Sequence, residues 1–116
     1  MAFELACTLD DVPTDQALAV TLGRYDIAVA RDGDEVFAVE NTCSHAEVAL
    51  TEGEVADCQI ECWLHGSMFD LRTGKPTNLP ATEPIATFPV DVRANPNGTT
   101  DVYVDTETTL NGVTPA

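Results

Sequence analysis

Two short segments of this 116-residue chain ask to meet in space, and that requirement narrows the possible folds more than any other feature. Cys43-Ser44-His45 and Cys62-Trp63-Leu64-His65 each set a thiol beside an imidazole, and no histidine occurs elsewhere in the chain. Facing each other, the two pairs offer two sulfurs and two nitrogens. That donor set suits one tetrahedral zinc ion, or a [2Fe-2S] cluster with thiolates on one iron and imidazoles on the other. In the cluster, neutral imidazoles in place of two thiolates reduce the negative charge around one iron and raise the potential above that of an all-cysteine cluster. A zinc-binding interaction module competes with this reading, although no finger-type helix carries the histidines. A site with no metal at all is the bland alternative, and the placement of both histidines in the two pairs weighs against it.

Strands fit the rest of the chain. Phe3, Leu5 and Cys7 alternate with Glu4, Ala6 and Thr8, and Tyr25, Ile27 and Val29 alternate with Asp26, Ala28 and Ala30, the period-2 pattern of half-buried strands. Asp32-Gly33 and Asn97-Gly98 lie between strand-like runs and predict two hairpins. Pro89 marks its own run, Thr87 to Val92, as an edge strand or one that starts late. Thr14 to Ala19, behind Pro13, is the only weak helix signal. Cys58, Ile60 and Cys62 share one face of a short strand, so Cys62 is expected to point inward. Gly66, directly after His65, permits positive φ, which would let the amides of Gly66 and Ser67 donate to cluster sulfur.

The fold class expected is therefore all-β, an antiparallel scaffold with a loop-rich insertion over residues 41–84 that carries all four candidate ligands. Residues 1–105 make one domain in this reading, and residues 106–116, rich in Thr, Gly and Pro, a flexible tail. The formal charge of -15, from 20 acidic against 5 basic residues, argues against nucleic acid and anionic membrane surfaces as partners. It favours solubility, salt adaptation or steering toward a basic protein surface. The start, MAFELACTLDD, has neither a basic leader nor a long apolar stretch, so a soluble cytoplasmic protein is expected. In that reducing compartment four cysteines suit metal ligation or free thiols better than disulfides.

Cys43-x-His45 and Cys62-x-x-His65-Gly66-Ser67 resemble the two signature boxes of Rieske proteins, and Phe69-Asp70-x-x-Thr73-Gly74-Lys75 resembles the stretch just after the second box in Rieske-type ferredoxins. The resemblance implies a β sandwich with a smaller cluster-binding subdomain and one Rieske [2Fe-2S] cluster. Cys43 and Cys62 would hold its buried iron, and His45 and His65 its outer iron. Leu79-Pro80-Ala81 would cover the cluster, with Ala46, Gly66, Ser67 and Pro80 beside it. Val48 and Leu64 stand where the respiratory branch carries an extra bridged cysteine pair, and Phe69 where it carries a tyrosine. Without that phenol the potential should lie low in the roughly -150 to +300 mV Rieske span, with Ser67 left as a hydroxyl donor.

By the same resemblance the chain is no enzyme. It is expected to be the ferredoxin component of an aromatic-ring-hydroxylating dioxygenase system, passing single electrons from a flavin-dependent NAD(P)H reductase to a non-haem iron oxygenase. An accessory ferredoxin of iron-sulfur cluster assembly and the small subunit of a nitrite reductase are the alternatives. Trp63, between two ligands, is a candidate docking contact or local packing. Glu47, Glu52 and Glu54 could ring the site toward a basic partner. Cys7 and Cys58 are expected to be small buried apolar groups, with a bridge between them as the minor alternative. Arg72 and Lys75 are placed in a turn without a function.

Overall fold

The computed structural model describes residues 3–33, 35–44, 48–64, 66–79 and 81–115. Strand β1 (Phe3–Thr8) pairs with β10 (Thr100–Asp105), which pairs with β9 (Val90–Ala94), in one antiparallel sheet. Strands β2 (Leu18–Leu22), β3 (Tyr25–Asp32), β4 (Glu35–Glu40) and β8 (Thr87–Phe88) form a second antiparallel sheet in that order. A third, small one is made of β5 (Val55–Ala56), β6 (Gln59–Glu61) and β7 (Met68–Asp70). The architecture is all-β, as expected, and among the described residues no helix is long and apolar enough to cross a membrane.

The hairpins reflect local chemistry. Asp32 pairs with Glu35 across Gly33 at φ +61°, and Ala94 pairs with Thr100 across a turn holding Gly98 at φ +92°. A third turn, at Gly23 with φ +61°, joins Leu22 to Tyr25. The helix expected over Thr14–Ala19 is absent. Leu18 already belongs to β2, Ala17 is buried, and the Asp15 carbonyl accepts the Val55 amide at 2.8 Å. Docking onto the third sheet therefore overrides the weak local signal.

The half-buried pattern read for β3 is also corrected, because Ile27, Ala28, Val29 and Ala30 are all fully buried. Ile27 and Val29 pack with Phe88, Val102 and Val104 between the two larger sheets. Ala28 and Ala30 face a second core with Leu50, Ile60, Phe69 and Leu71. The small side chains on this face let the third sheet approach the β3 backbone closely. One central sheet thus separates two cores, and the second core carries the candidate ligands.

As expected, Pro89 precedes a strand that starts late, β9 beginning only at Val90, and both β8 and β9 are edge strands of their sheets. Pro89 separates β8 from β9, so the chain leaves the second sheet and enters the first at a residue with no N–H to donate. The Pro89 carbonyl still accepts the Asp105 amide at 3.1 Å.

The expected loose tail is tied down at several points. Val113 packs against the first core, and the Leu110 amide donates to the Thr87 carbonyl at 2.8 Å along the exposed edge of β8. The Asn111 amide donates to the carbonyls of Thr73 (2.9 Å) and Ile85 (2.8 Å), while its oxygen accepts the Thr87 and Val113 amides. One carboxamide links three segments. Asn111→Ala should lower stability by about 2 kcal/mol, since buried backbone groups lose partners. An unchanged urea midpoint would show that the segment contributes no stability.

Cys7 and Cys58 form no bridge, for they pack against different cores on opposite sides of the central sheet. Burial, with help from Asp11, pushes the Cys7 thiol up to about 11, which keeps it uncharged at neutral pH. Cys58 is not on the strand with Ile60. It occupies the β5–β6 turn with Asp57, at φ +60° and +53°, the left-handed pair that a two-residue hairpin of this twist requires. Its side chain still reaches the core that holds Cys62.

Candidate metal centre

Two loops leave the ends of β4 and β6 and are closed in the same way. In the first, the Cys43 amide donates to the Val48 carbonyl at 3.1 Å, and in the second the Cys62 amide donates to the Ser67 carbonyl at 2.7 Å. Each cysteine thus stands at the base of a loop closed by the carbonyl five residues on. Asn41 seats the first loop on the central sheet: its amide donates to Asp26, its carbonyl accepts Leu50, and its side-chain oxygen accepts Thr51 at 2.9 Å.

Cys43 and Cys62 are 3% and 0% exposed and belong to one packed core. The structure thus brings both thiols inward from separate loops, around Leu50, Ile60, Phe69 and Ala81. Neither is in a disulfide. Of the other expected site residues, His45, Ala46, His65 and Pro80 lie outside the described residues, as does Glu47.

A third segment closes the site. Thr77 pairs through its amide with the Met68 carbonyl at 2.8 Å. The Ala81 amide donates to the Ser67 hydroxyl oxygen at 3.0 Å, and both Ala81 and Ser67 are buried. The Ser44 hydroxyl donates to the Glu83 carbonyl at 2.6 Å, which ties the first loop to the same segment. Gly66 has φ +75°, in line with its expected freedom. Its amide, however, donates to the Cys62 carbonyl at 2.9 Å, so it serves loop closure in place of the sulfur contact expected for it.

Outside this core, Trp63 is 48% exposed and its indole N–H donates to Glu52 at 3.0 Å. The ring is thereby held at the surface while its polar edge is satisfied. Arg72, given no role by the sequence, makes a two-pronged ion pair with Glu35 at 2.5 and 2.6 Å and lies over the Phe37 ring. It joins the turn after β7 to the β3–β4 hairpin, and its hydrogen bond holds the Glu35 carboxyl below the usual range.

Comparison with known proteins places this fold in a family. The family profile described as Rieske [2Fe-2S] domain covers residues 3–89. This chain belongs to the Rieske [2Fe-2S] domain family. The ferredoxin component of biphenyl 2,3-dioxygenase from Rhodococcus jostii is 40% identical over 107 residues, 92% of this chain and 95% of that protein. The ferredoxin subunit of anthranilate 1,2-dioxygenase from Burkholderia cepacia is 42% identical over 84 residues, 72% and 78% of the two chains. A solved complex of reduced oxygenase and oxidized ferredoxin in carbazole 1,9a-dioxygenase contains a chain that superposes with a TM-score of 0.74 at 33% identity, covering 88% of this chain and 91% of that one.

The cofactor of this Rieske domain is a Rieske-type [2Fe-2S] cluster, and the described residues fit it. Two buried thiols on opposite loops are the donors that a pair of sulfur ligands to one iron would need. Ser67, buried and accepting from Ala81, has its own O–H to offer a further acceptor. Phe69, fully buried in β7, offers no hydroxyl, and Leu64 and Val48 offer no second thiol pair.

Sequence reasoning missed the asparagines that hold this Rieske site together. Asn41, Asn78 and Asn111 each replace absent backbone partners in irregular chain. The available signal was an asparagine in each polar loop, but apart from Val113 the side-chain partners lie 10 to 38 residues away.

Proposed function

We propose that Cys43, His45, Cys62 and His65 hold the cluster and that the chain carries single electrons from a flavin-dependent, nicotinamide-oxidising reductase to a terminal non-haem iron oxygenase in the cytoplasm. The observation that carries this reading is the pair of like-built loops. Each buries a cysteine at its base, and the sequence sets a histidine two residues on in one and three in the other. When bound, the cluster supplies a one-electron couple. The chain itself binds it, excludes water from the thiolates and makes or breaks no substrate bond. Similarity to dioxygenase ferredoxins and to a ferredoxin–oxygenase complex supports the acceptor.

The docking face in this reading lies over the two loops, where Trp63, Leu64 and Leu79 are exposed at 48%, 41% and 74%. Asn78, next to Leu79, bonds across to Gly66, two residues after Leu64. Glu52 sits against Trp63 in a chain of net charge -15. An apolar contact with an acidic border suits a partner that presents an apolar hollow bordered by Arg and Lys. Cytochrome c, a basic electron acceptor, is a usable probe. Its reduction by the reduced protein should slow about tenfold from low to high salt, and about fivefold on Trp63→Ala, the equivalent of ~1 kcal/mol at a contact. Indifference to both salt and Trp63 would sink the docking assignment.

The deciding experiment is electron paramagnetic resonance of the dithionite-reduced protein, with iron and zinc assays on the same sample. A Rieske signal, with an average g value below that of an all-cysteine cluster, and about two irons per chain is the expected result. One zinc and no signal would overturn the reading.

A further inference from the structure

Asn78 occupies an unusual station beside the second ligand loop. The Met68 amide donates to its side-chain oxygen at 2.6 Å, and its side-chain nitrogen donates to the Gly66 carbonyl at 3.1 Å. These two backbone groups flank Ser67. They are the donor and acceptor that a neighbouring strand would take, and Thr77 does pair in that manner through its amide with Met68. At residue 78 the chain turns away and a carboxamide takes over both bonds. Among uncharged side chains of this length only asparagine carries one donor and one acceptor in the required fork, whereas aspartate lacks the donor and leucine lacks both.

The Ser67 hydroxyl oxygen in turn accepts the Ala81 amide at 3.0 Å. Asn78 and Ala81 therefore grip the second loop at Gly66, Ser67 and Met68. We infer that Asn78 is a positioning residue: it fixes the Gly66–Met68 backbone and, through it, the direction in which the Ser67 hydroxyl points toward the cluster. This rests on the reading that Cys62 and His65 hold the cluster. Without the fork, the Gly66 and Met68 peptides would be free to rotate, and the Ser67 hydroxyl would sample several directions where one is now enforced. A hydrogen bond to cluster sulfur stabilises the reduced form, so its loss lowers the potential.

The test compares Asn78→Leu, which matches the shape and removes both bonds, with Asn78→Gln, which keeps both groups on a longer stem. Thr77→Val is the control. It removes the neighbouring hydroxyl bonds from Thr77 to Gln59, at 2.8 Å, and to the Met68 carbonyl, at 3.3 Å, but leaves the Thr77 amide on that carbonyl and both Asn78 bonds in place. Asn78→Leu is expected to shift the midpoint potential downward, to broaden and move the g values of the reduced protein, and to release iron to a chelator several-fold faster. Asn78→Gln should restore part of the shift, and Thr77→Val should leave the potential and g values at the wild-type position. If Asn78→Leu matches wild type in potential and spectrum, whatever its thermal stability, the inference is overturned. If Asn78→Leu fails to load iron, Asn78→Ala, which removes the same two bonds with a smaller side chain, decides: a wild-type potential and spectrum in that variant overturns the inference, and a downward shift supports it. A wild-type protein with no Rieske signal would overturn the functional reading itself, which keeps the two failures apart.

Discussion

Cys62→Ala is expected to give a protein with no cluster: colourless, without the reduced-state resonance and with iron near zero. Cys62 is fully buried at the base of its loop, and no other thiol is placed to replace it. Cys58, the nearest cysteine in sequence, is held in the β5–β6 turn by a left-handed backbone. In the proposed ligand set, removing one of two thiolates would leave an iron short of an anionic ligand in a core that excludes water, so partial occupancy is not expected. The truncation itself costs only on the order of 1 kcal/mol in packing. The larger loss of stability comes from the cluster, because a bound metal group stabilises the folded state that holds it. Circular dichroism should therefore show a folded β protein at low temperature with a reduced melting temperature. His65→Cys should load iron yet lose the Rieske spectrum, since a nitrogen ligand becomes sulfur. Persistence of the wild-type spectrum in either variant would remove that residue from the ligand set.

The second large effect is mechanical and lies away from the ligands. Gly74→Ala should destabilise the fold by ~3–4 kcal/mol, the sum of left-handed strain and overpacking. Gly74 has φ +75°, and a Cβ there would meet the Ile85 carbonyl oxygen at 2.1 Å and the Asn111 side-chain nitrogen at 2.7 Å. Neither neighbour can give way cheaply. Ile85 donates to the Gly74 carbonyl at 2.8 Å, and Asn111 holds the C-terminal segment to Thr73 and Ile85. Gly23→Ala supplies the contrast, for its φ is +61° but its Cβ would meet nothing within 4 Å. It should cost only the strain, ~1–2 kcal/mol. Thermal melts of the two variants would separate the terms, and equal losses would show that the close approach at Gly74 relaxes freely.

The residues that could be read without the structure are those whose role depends on near neighbours. Asp32-Gly33 and Asn97-Gly98 mark hairpins because a tight turn needs positive φ within two or three residues. The alternation in Phe3–Thr8 and Tyr25–Asp32 marks strands because side chains change face at every residue. The two Cys/His pairs declare a metal-binding chemistry through donor type alone. Local patterns also mislead where a distant segment intervenes. Ala28 and Ala30 look like the outer face of a half-buried strand, yet the third sheet covers them.

By itself, then, the sequence determined the all-β class, two of the turns and the inward direction of Cys62. Each of these is set by backbone sterics acting over a few residues. Only the tertiary structure decided that β3 is buried on both faces, that Pro89 marks the passage between sheets, that Arg72 clamps Glu35, and that Asn78 and Asn111 bind loops far from them in sequence. Those outcomes depend on which buried backbone groups lack a partner once the sheets have packed. Chain folding alone brings a particular asparagine or arginine within reach of the groups left over.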